Sequence, residues 1–231
     1  MEIIIDFESD KLKLETNKVY SVIAYHEKNK EDFFKKIITS NKDKITYVNL
    51  NNYDNMFNSN IYLDITHSLK NIEIVKLQGF LDLFKLDRNI MQKNFYEISN
   101  SERKKIILIS AFLSDKQLLF IDNATLGMDR ESKLEFSRII KHEKRNGKII
   151  ILFSMDSNFI YENSDKIIDI EKSDISDVNK FFSGARKLEK YFLKMPCLEQ
   201  FRKKVLKIKK IRLSKTKNVN DLIKDVYRSV Q

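Results

Sequence analysis

ISNSERKKIILISAFLSDKQLLFIDNATLGMD, Ile98 to Asp129, is the stretch on which the reading of the fold turns. Within it, Gln117 to Asp122 is an unbroken apolar run closed by a carboxylate, the pattern of a strand buried on both faces rather than one that alternates. Ser101 to Leu113 ahead of it carries apolar residues at helical spacing, and Arg130 to Arg145 behind it is amphipathic with the same period. Gly147 stops that second helix, and the apolar run Lys148 to Phe153 predicts another buried strand. Helices alternating with buried strands imply a mainly parallel sheet covered on both faces.

Working outward, Ile3 to Phe7 and Lys11 to Glu15 alternate as strands do, and Val19 to Tyr25 reads as a buried strand feeding a helix from about Glu31 to Ile38. A short strand at Thr46 to Leu50 leads into an Asn-rich loop, Asn51 to Asn60, and Asn71 to Leu86 repeats at helical spacing. A further strand is expected at Lys166 to Glu171. The fold class is therefore α/β, an α/β domain over residues 1–186 with a helical insertion at about 58–113. A small, basic, helical segment over 187–231 follows, the Met195-Pro196 pair marking a break within it.

Composition sets bounds on function. The chain has 231 residues, 42% apolar and 11% aromatic, enough for one good core and a small extension. A lone cysteine, Cys197, allows no internal disulfide and suits a reducing, cytoplasmic compartment. The apolar opening Ile3-Ile4-Ile5 is too short for a signal peptide, and no stretch approaches the roughly 18 apolar residues of a membrane span, so any membrane association is expected to be peripheral. His26, His67 and His142 are far apart and no Cys or His pair has ligand spacing, so no metal site is expected. Only four glycines occur, Gly79, Gly127, Gly147 and Gly184, which places any glycine-rich phosphate loop in doubt.

The Ile98–Asp129 register can be laid without a gap on the pattern of ATP-binding cassettes, from the L-S-G-G-Q signature through the Walker B strand to the D-loop. The chain thus resembles an ATP-binding-cassette (ABC) subunit, and most of all the energy-coupling-factor (ECF) transporter ATPases. On that resemblance Ser99 falls on the signature serine, Asp122 on the Walker B aspartate that would hold Mg²⁺, and Asp129 on the D-loop aspartate. Asn55-Met56-Phe57 with Ile61 to Asp64 resembles the segment after the Q-loop, and Ser154-Met155-Asp156 the switch segment. The tail, with Asn218 to Ile223, resembles the family's small C-terminal helical domain. The implied fold is the cassette's: a mainly parallel sheet, a small N-terminal antiparallel sheet and a helical insertion.

The same alignment places Tyr25-His26-Glu27-Lys28-Asn29-Lys30-Glu31-Asp32 on G-x-x-G-x-G-K-[ST]. No glycine survives, and Glu31 and Asp32 replace the lysine and hydroxyl, so two carboxylates are expected at the helix N-terminus that would attract phosphate. Lys28 and Lys30 could restore some positive charge. Asn123 stands at the catalytic glutamate and cannot act as a carboxylate base; Met155 stands at the switch histidine; Leu50 or Asn51 stands at the Q-loop glutamine. The adenine platform, expected between Phe7 and Lys11, looks abbreviated. Catalytic residues are therefore not expected. Ser99 and Asp129 could still complete a partner's site, although Asn100 and Ser101 replace the signature glycines. Ser99 with Glu102 three residues on also reads as a capping box.

The resemblance implies a cassette that has lost hydrolysis, on the inner face of the cell membrane. It would pair with an active homologous ATPase and couple to a transmembrane subunit taking up a vitamin or metal ion. No tightly bound cofactor is expected in its own site, with Mg-ATP left to a composite site shared with the partner. Two other readings stand beside it: an ATP-hydrolysing subunit with an unorthodox phosphate loop, and a nucleic-acid binder that uses the basic tail, whose run from Arg202 to Arg212 otherwise reads as the solvated face of an amphipathic helix. The net charge of +10 suits an anionic partner, but no zinc-finger, RRM or KH signature is present, and nucleic acid is not expected.

Overall fold

The computed structural model describes residues 2–7, 10–51, 58–69, 72–184 and 188–230. Five strands run parallel in the order β4 (Ile45–Asn49), β5 (Leu118–Asp122), β6 (Ile149–Phe153), β3 (Val19–Ile23) and β7 (Lys166–Asp169), and β8 (Asp174–Asp177) closes the edge antiparallel to β7. β1 (Glu2–Phe7) and β2 (Asp10–Glu15) form a separate antiparallel ribbon. The central strands β3, β5 and β6 are buried along their whole length and mainly apolar because both sheet faces are covered.

Period-two alternation sorts their side chains. Leu119, Ile121, Ile150 and Leu152 point into one apolar cluster, under α3 (Ile74–Leu83), α4 (Asn100–Leu113) and α5 (Arg130–Arg145). Leu118, Phe120, Ile149 and Ile151 point into the other, under α1 (Glu27–Ser40) and the β1–β2 ribbon, where Phe33, Phe34, Leu12 and Leu14 complete the packing. Each fully buried Ile, Leu or Phe contributes about 1.5–3 kcal/mol.

A third cluster lies at the β7 side. There Ile23 and Ile167 of the sheet meet Ile160 and Tyr161 of α6 (Ser157–Asn163), Val178 and Phe182 of α7 (Val178–Phe182), Leu198 of α8 (Cys197–Lys209) and Leu222 of α9 (Val219–Val230). The tail thus packs on the same body as the strands. Arg202, expected on a solvated basic face, is instead 6% exposed. It lies 2.5 Å from Glu199 Oε1, donates to Tyr161 Oη, and donates to the carbonyls of Ser214 at 2.8 Å and Thr216 at 3.1 Å. Across 188–230 the sequence carries thirteen Lys and Arg against four Asp and Glu.

The insertion is built from α2 (Ile61–Ser68), α3 and α4, with 3-10 turns at Arg88–Gln92 and Phe95–Glu97. Asn60 caps α2, and buried Asp64 accepts from Asn58 N and Nδ2, both at 2.8 Å. The expected adenine platform at residues 8–9, the Asn55-Met56-Phe57 match and the 186/187 boundary lie outside the described residues. Among the described residues no helix is long and apolar enough to cross a membrane, and no group of His, Cys, Asp or Glu is placed to hold a metal ion.

Two element ends differ from the expectation and matter for the site. β3 stops at Ile23 rather than Tyr25, and α1 starts at Glu27 rather than Glu31. Glu27, Lys28 and Lys30 are good helix formers, Lys30 pairs with Glu27 one turn back, and no glycine keeps the segment unwound. The residues aligned on the phosphate loop are therefore mostly wound into the first two turns of α1.

Candidate functional site

Parallel strands bring the ends of β3, β4, β5 and β6 to one edge of the sheet, where crevices in α/β folds take ligands. Two groups of residues lie there, linked by the pull of Lys30 on Asp122, and a third is formed by the starts of α4 and α5.

The first is the β3–α1 junction, Ala24-Tyr25-His26. Glu31 and Asp32, placed by the sequence at the helix N-terminus, sit instead on the second turn of α1, exposed to solvent. Lys28 is exposed as well. Lys30 is turned inward: its Nζ stands 4.7 Å from the Phe153 ring centroid and 5.8 Å from that of Phe34. His26 is the N-cap of α1 but its side chain makes no capping bond. The carboxylate of Glu171, beyond the end of β7, does so from outside. Its Oε1 accepts from Tyr25 N at 3.3 Å and His26 N at 3.1 Å, and its Oε2 from Asn29 Nδ2 at 2.7 Å.

The second group surrounds Asp122, which is 5% exposed. Its Oδ2 accepts from Tyr47 Oη at 3.2 Å and Asn49 Nδ2 at 3.1 Å, while its Oδ1 is buried without a hydrogen-bond partner. Burial pushes the Asp122 carboxyl above the ordinary range, against the pull of the Lys30 ammonium and the Tyr47 hydroxyl. Tyr47, desolvated and facing that carboxylate, is raised to about 12. Asn123 holds a left-handed backbone at φ +55°, and its Nδ2 donates to Asn49 Oδ1 at 3.2 Å. An amide in that position offers no proton acceptor of carboxylate strength. Met155 is exposed just past β6, while Ser154 Oγ lies 2.6 Å from Thr125 Oγ1 and Asp156 caps α6 and pairs with Lys133 at 2.6 Å.

The third group is a pair of helix starts. Ser99 caps α4 through a complete capping box: its hydroxyl accepts from Glu102 N at 3.3 Å, and Glu102 Oε2 accepts from Ser99 N at 2.8 Å. Asp129 caps α5, accepting from Ser132 N at 2.7 Å. A 3.1 Å contact between the hydroxyls of Ser101 and Ser132 holds the two first turns together. Between them Lys104 donates to the Leu126 carbonyl, beside Gly127 at φ +68°.

Of the residues named from sequence, Asp122 and Asn123 lie at the end of β5, Ser99 and Asp129 cap α4 and α5, and the first turn of α1 differs from the expectation. The sequence missed Tyr47 and Asn49, legible only once β4 is known to register Asn49 against Asp122. It also missed Glu171, for which no local signal exists.

Solved structures share the whole architecture. CbiO1 from Clostridium perfringens, part of the ABC transporter complex CbiONQ, superposes with a TM-score of 0.64 over 90% of this chain and 94% of that one, at 13% identity. The fold is that of an ATP-binding cassette. A second such structure, the ATP-binding subunit of an ABC transporter, gives 0.62 over 83% of this chain and 93% of that one, at 11% identity. No protein-family model matches this chain.

Its homologues are ATP-binding proteins of ABC transporters, ECF ATPases among them. MG303 of Mycoplasma genitalium, which bears an ABC transporter ATP-binding protein name, is 28% identical over 204 residues, 83% of this chain and 56% of that protein. The energy-coupling factor transporter ATP-binding protein EcfA3 of Oenococcus oeni is 26% identical over 159 residues, 68% of this chain and 55% of that protein. EcfA2 of Staphylococcus epidermidis is 28% identical over 144 residues, 61% of this chain and 50% of that protein. This chain therefore spans about half the length of the curated relatives it matches.

Proposed function

We propose that this chain is a cassette subunit of an ECF-like transporter that does not turn over ATP at its own site. It pairs with an active cassette ATPase and couples that partner's cycle to a transmembrane subunit, on the cytoplasmic face of the membrane. The observation that carries the reading is the β3–α1 junction. A phosphate loop works by presenting free backbone N–H groups and a lysine to polyphosphate. Here the N–H groups of Tyr25 and His26 already serve Glu171, and Lys30 is packed on Phe153.

Mg-ATP does not fit these residues. The loop aligned on the glycines has side chains throughout, and most of it is helix. Among the described residues the buried, unpaired Asp122 Oδ1 is a feature that suits a cation, but burial pushes its carboxyl above the ordinary range and Asn123 supplies no base beside it. What remains is the pair of helix starts at Ser99 and Asp129, which could face a partner's nucleotide. Each already has a structural duty as a cap, so a contribution there is additional to that duty. The cargo class is the one the resemblance implies, a vitamin or a metal ion.

Two measurements test this. Titration of the purified chain with a fluorescent ATP analogue and Mg²⁺ is expected to show no saturable binding. Copurification from native membranes with a tag on this chain is expected to recover a second cassette whose Walker A lysine alone is needed for ATP hydrolysis. ATP turnover by the isolated chain, lost on Asp122→Ala, would sink the proposal.

A further inference from the structure

The β3–β7 pairing delivers Glu171 to the junction. Ile23 registers with Asp169, and Ile170 N continues the ladder by donating to Ile23 O at 3.3 Å, so the next residue along arrives beside Tyr25. The turn that follows is held in place: Lys172 pairs with Asp169 at 3.1 Å, and Asp169 accepts from Tyr191 Oη at 2.5 Å. Tyr191 in turn meets the Tyr25 ring edge-on, centroids 5.6 Å apart. Glu171 is half-buried and makes three hydrogen bonds, two of them to successive backbone N–H groups at the start of a helix with no cap of its own. A helix start holds a phosphate oxygen through backbone N–H groups, and here a carboxylate oxygen takes two such bonds, from the N-cap His26 and the residue before it.

We propose that Glu171 is a built-in anion: it occupies the N-terminus of α1 as a phosphate group would, and holds the β3–α1 junction in one shape with no nucleotide required. The proposal rests on the reading of the chain as a cassette without turnover at its own site, and gives that reading a physical device. A helix start that binds a free phosphate holds its anion only while that ligand is bound. Here the anion is part of the chain, so the junction has no empty state, and any nucleotide would have to displace a tethered carboxylate.

The test is amide hydrogen exchange on the full chain, comparing the wild type with Glu171→Gln and Glu171→Ala, each with and without Mg-ATP. Loss of the charge-assisted bonds in Glu171→Ala is expected to speed exchange at Tyr25 and His26 by about tenfold, with Glu171→Gln between the two. Exchange at Phe120 and Ile121, in the middle of the sheet, is expected to stay as in the wild type, and Mg-ATP is expected to leave wild-type Tyr25 and His26 unchanged. Wild-type exchange rates at Tyr25 and His26 in Glu171→Ala would overturn the proposal. So would an equal acceleration at Phe120 and Ile121, which would mean the contact supports the whole fold rather than the junction. ATP-analogue binding by the wild type, with the local acceleration in Glu171→Ala intact, would refute the absence of nucleotide binding and still support the role of Glu171.

Discussion

Asn123 is the residue at which structure and chemistry constrain each other most tightly. Its left-handed backbone suits asparagine better than most residues, and its side chain ties β5 to β4 through Asn49. Restoring a carboxylate there by Asn123→Glu is expected to cost roughly 1 kcal/mol, from backbone strain and from like charge beside Asp122. It is also expected to yield no phosphate release, because a base without a phosphate cradle has nothing to attack. Thermal melting and a phosphate-release assay read the two effects separately. Ser99→Ala removes half of a capping box and is expected to cost about 1 kcal/mol by urea unfolding, whatever role Ser99 has in a partner's site. Gly127 suits its position: at φ +68° a side chain is strained, and an added Cβ would stand 2.7 Å from Lys104 Nζ, which would have to move. Gly127→Ala is therefore expected to destabilise by about 1 kcal/mol or more, with the Lys104 bond to Leu126 disturbed. Asp122, Asn123, Ser99 and Asp129 were readable from sequence because motif spacing fixes them along one contiguous run. Glu171 was not, because its partners lie more than 140 residues away and only the β3–β7 pairing brings them together.

At the scale of elements, β5, α5 and β6 followed directly from apolar runs and a 3.6-residue period, and their ends agree with the sequence to within a residue. The start of α1 did not follow, since the loop expected there rested on aligning a motif whose glycines are gone. Propensity, left unopposed, wound the segment into helix. α8 shows the opposite error. Its lysines and Arg202 read as one solvated stripe, yet Arg202 is drawn inside by Glu199 on the preceding turn and by the carbonyls of Ser214 and Thr216. Breaking that buried pair by Arg202→Ala is expected to cost about 3 kcal/mol, because Glu199 is left charged and unpaired. The double change Glu199→Leu with Arg202→Met is expected to recover most of that loss, measured by urea midpoints in parallel. A double variant as unstable as the single one would show that packing against Tyr161, not the charge pair, is what Arg202 provides.

For the whole molecule, the pH limits of stability follow from groups at opposite ends of the scale. Hydrogen bonds from Ser99 hold Glu102 below its ordinary 4.5, and the Ser132 amide and hydroxyl hold Asp129 below 3.8. Folded values below unfolded ones mean that this stabilisation is present above pH 4.5 and is lost as pH falls through the depressed values. Tyr161 is the reverse case. Desolvation is the largest cause, Arg202 opposes it and Glu199 assists, and the phenol is raised from 10.0 to about 12. Its contribution is complete below pH 10 and is lost as pH rises toward 12. Melting temperature against pH is expected to be a plateau with an acid shoulder, and Tyr161→Phe is expected to remove part of the alkaline decline. The layered α/β plan itself was legible from sequence, since buried strands and covering helices each have a period of their own. The packing of the tail onto that plan was not, because amphipathic helices announce an apolar face without naming what covers it. One further consequence follows from that packing. Ile23, the last residue of the strand that enters the β3–α1 junction, shares an apolar cluster with Leu198 and Leu222 of the tail helices. Close-packed interiors are stiff and barely compressible, so a displacement imposed on the outer face of α8 or α9 is not absorbed on the way in. It arrives at the tip of β3 as movement, which makes the tail a mechanical lever on the junction.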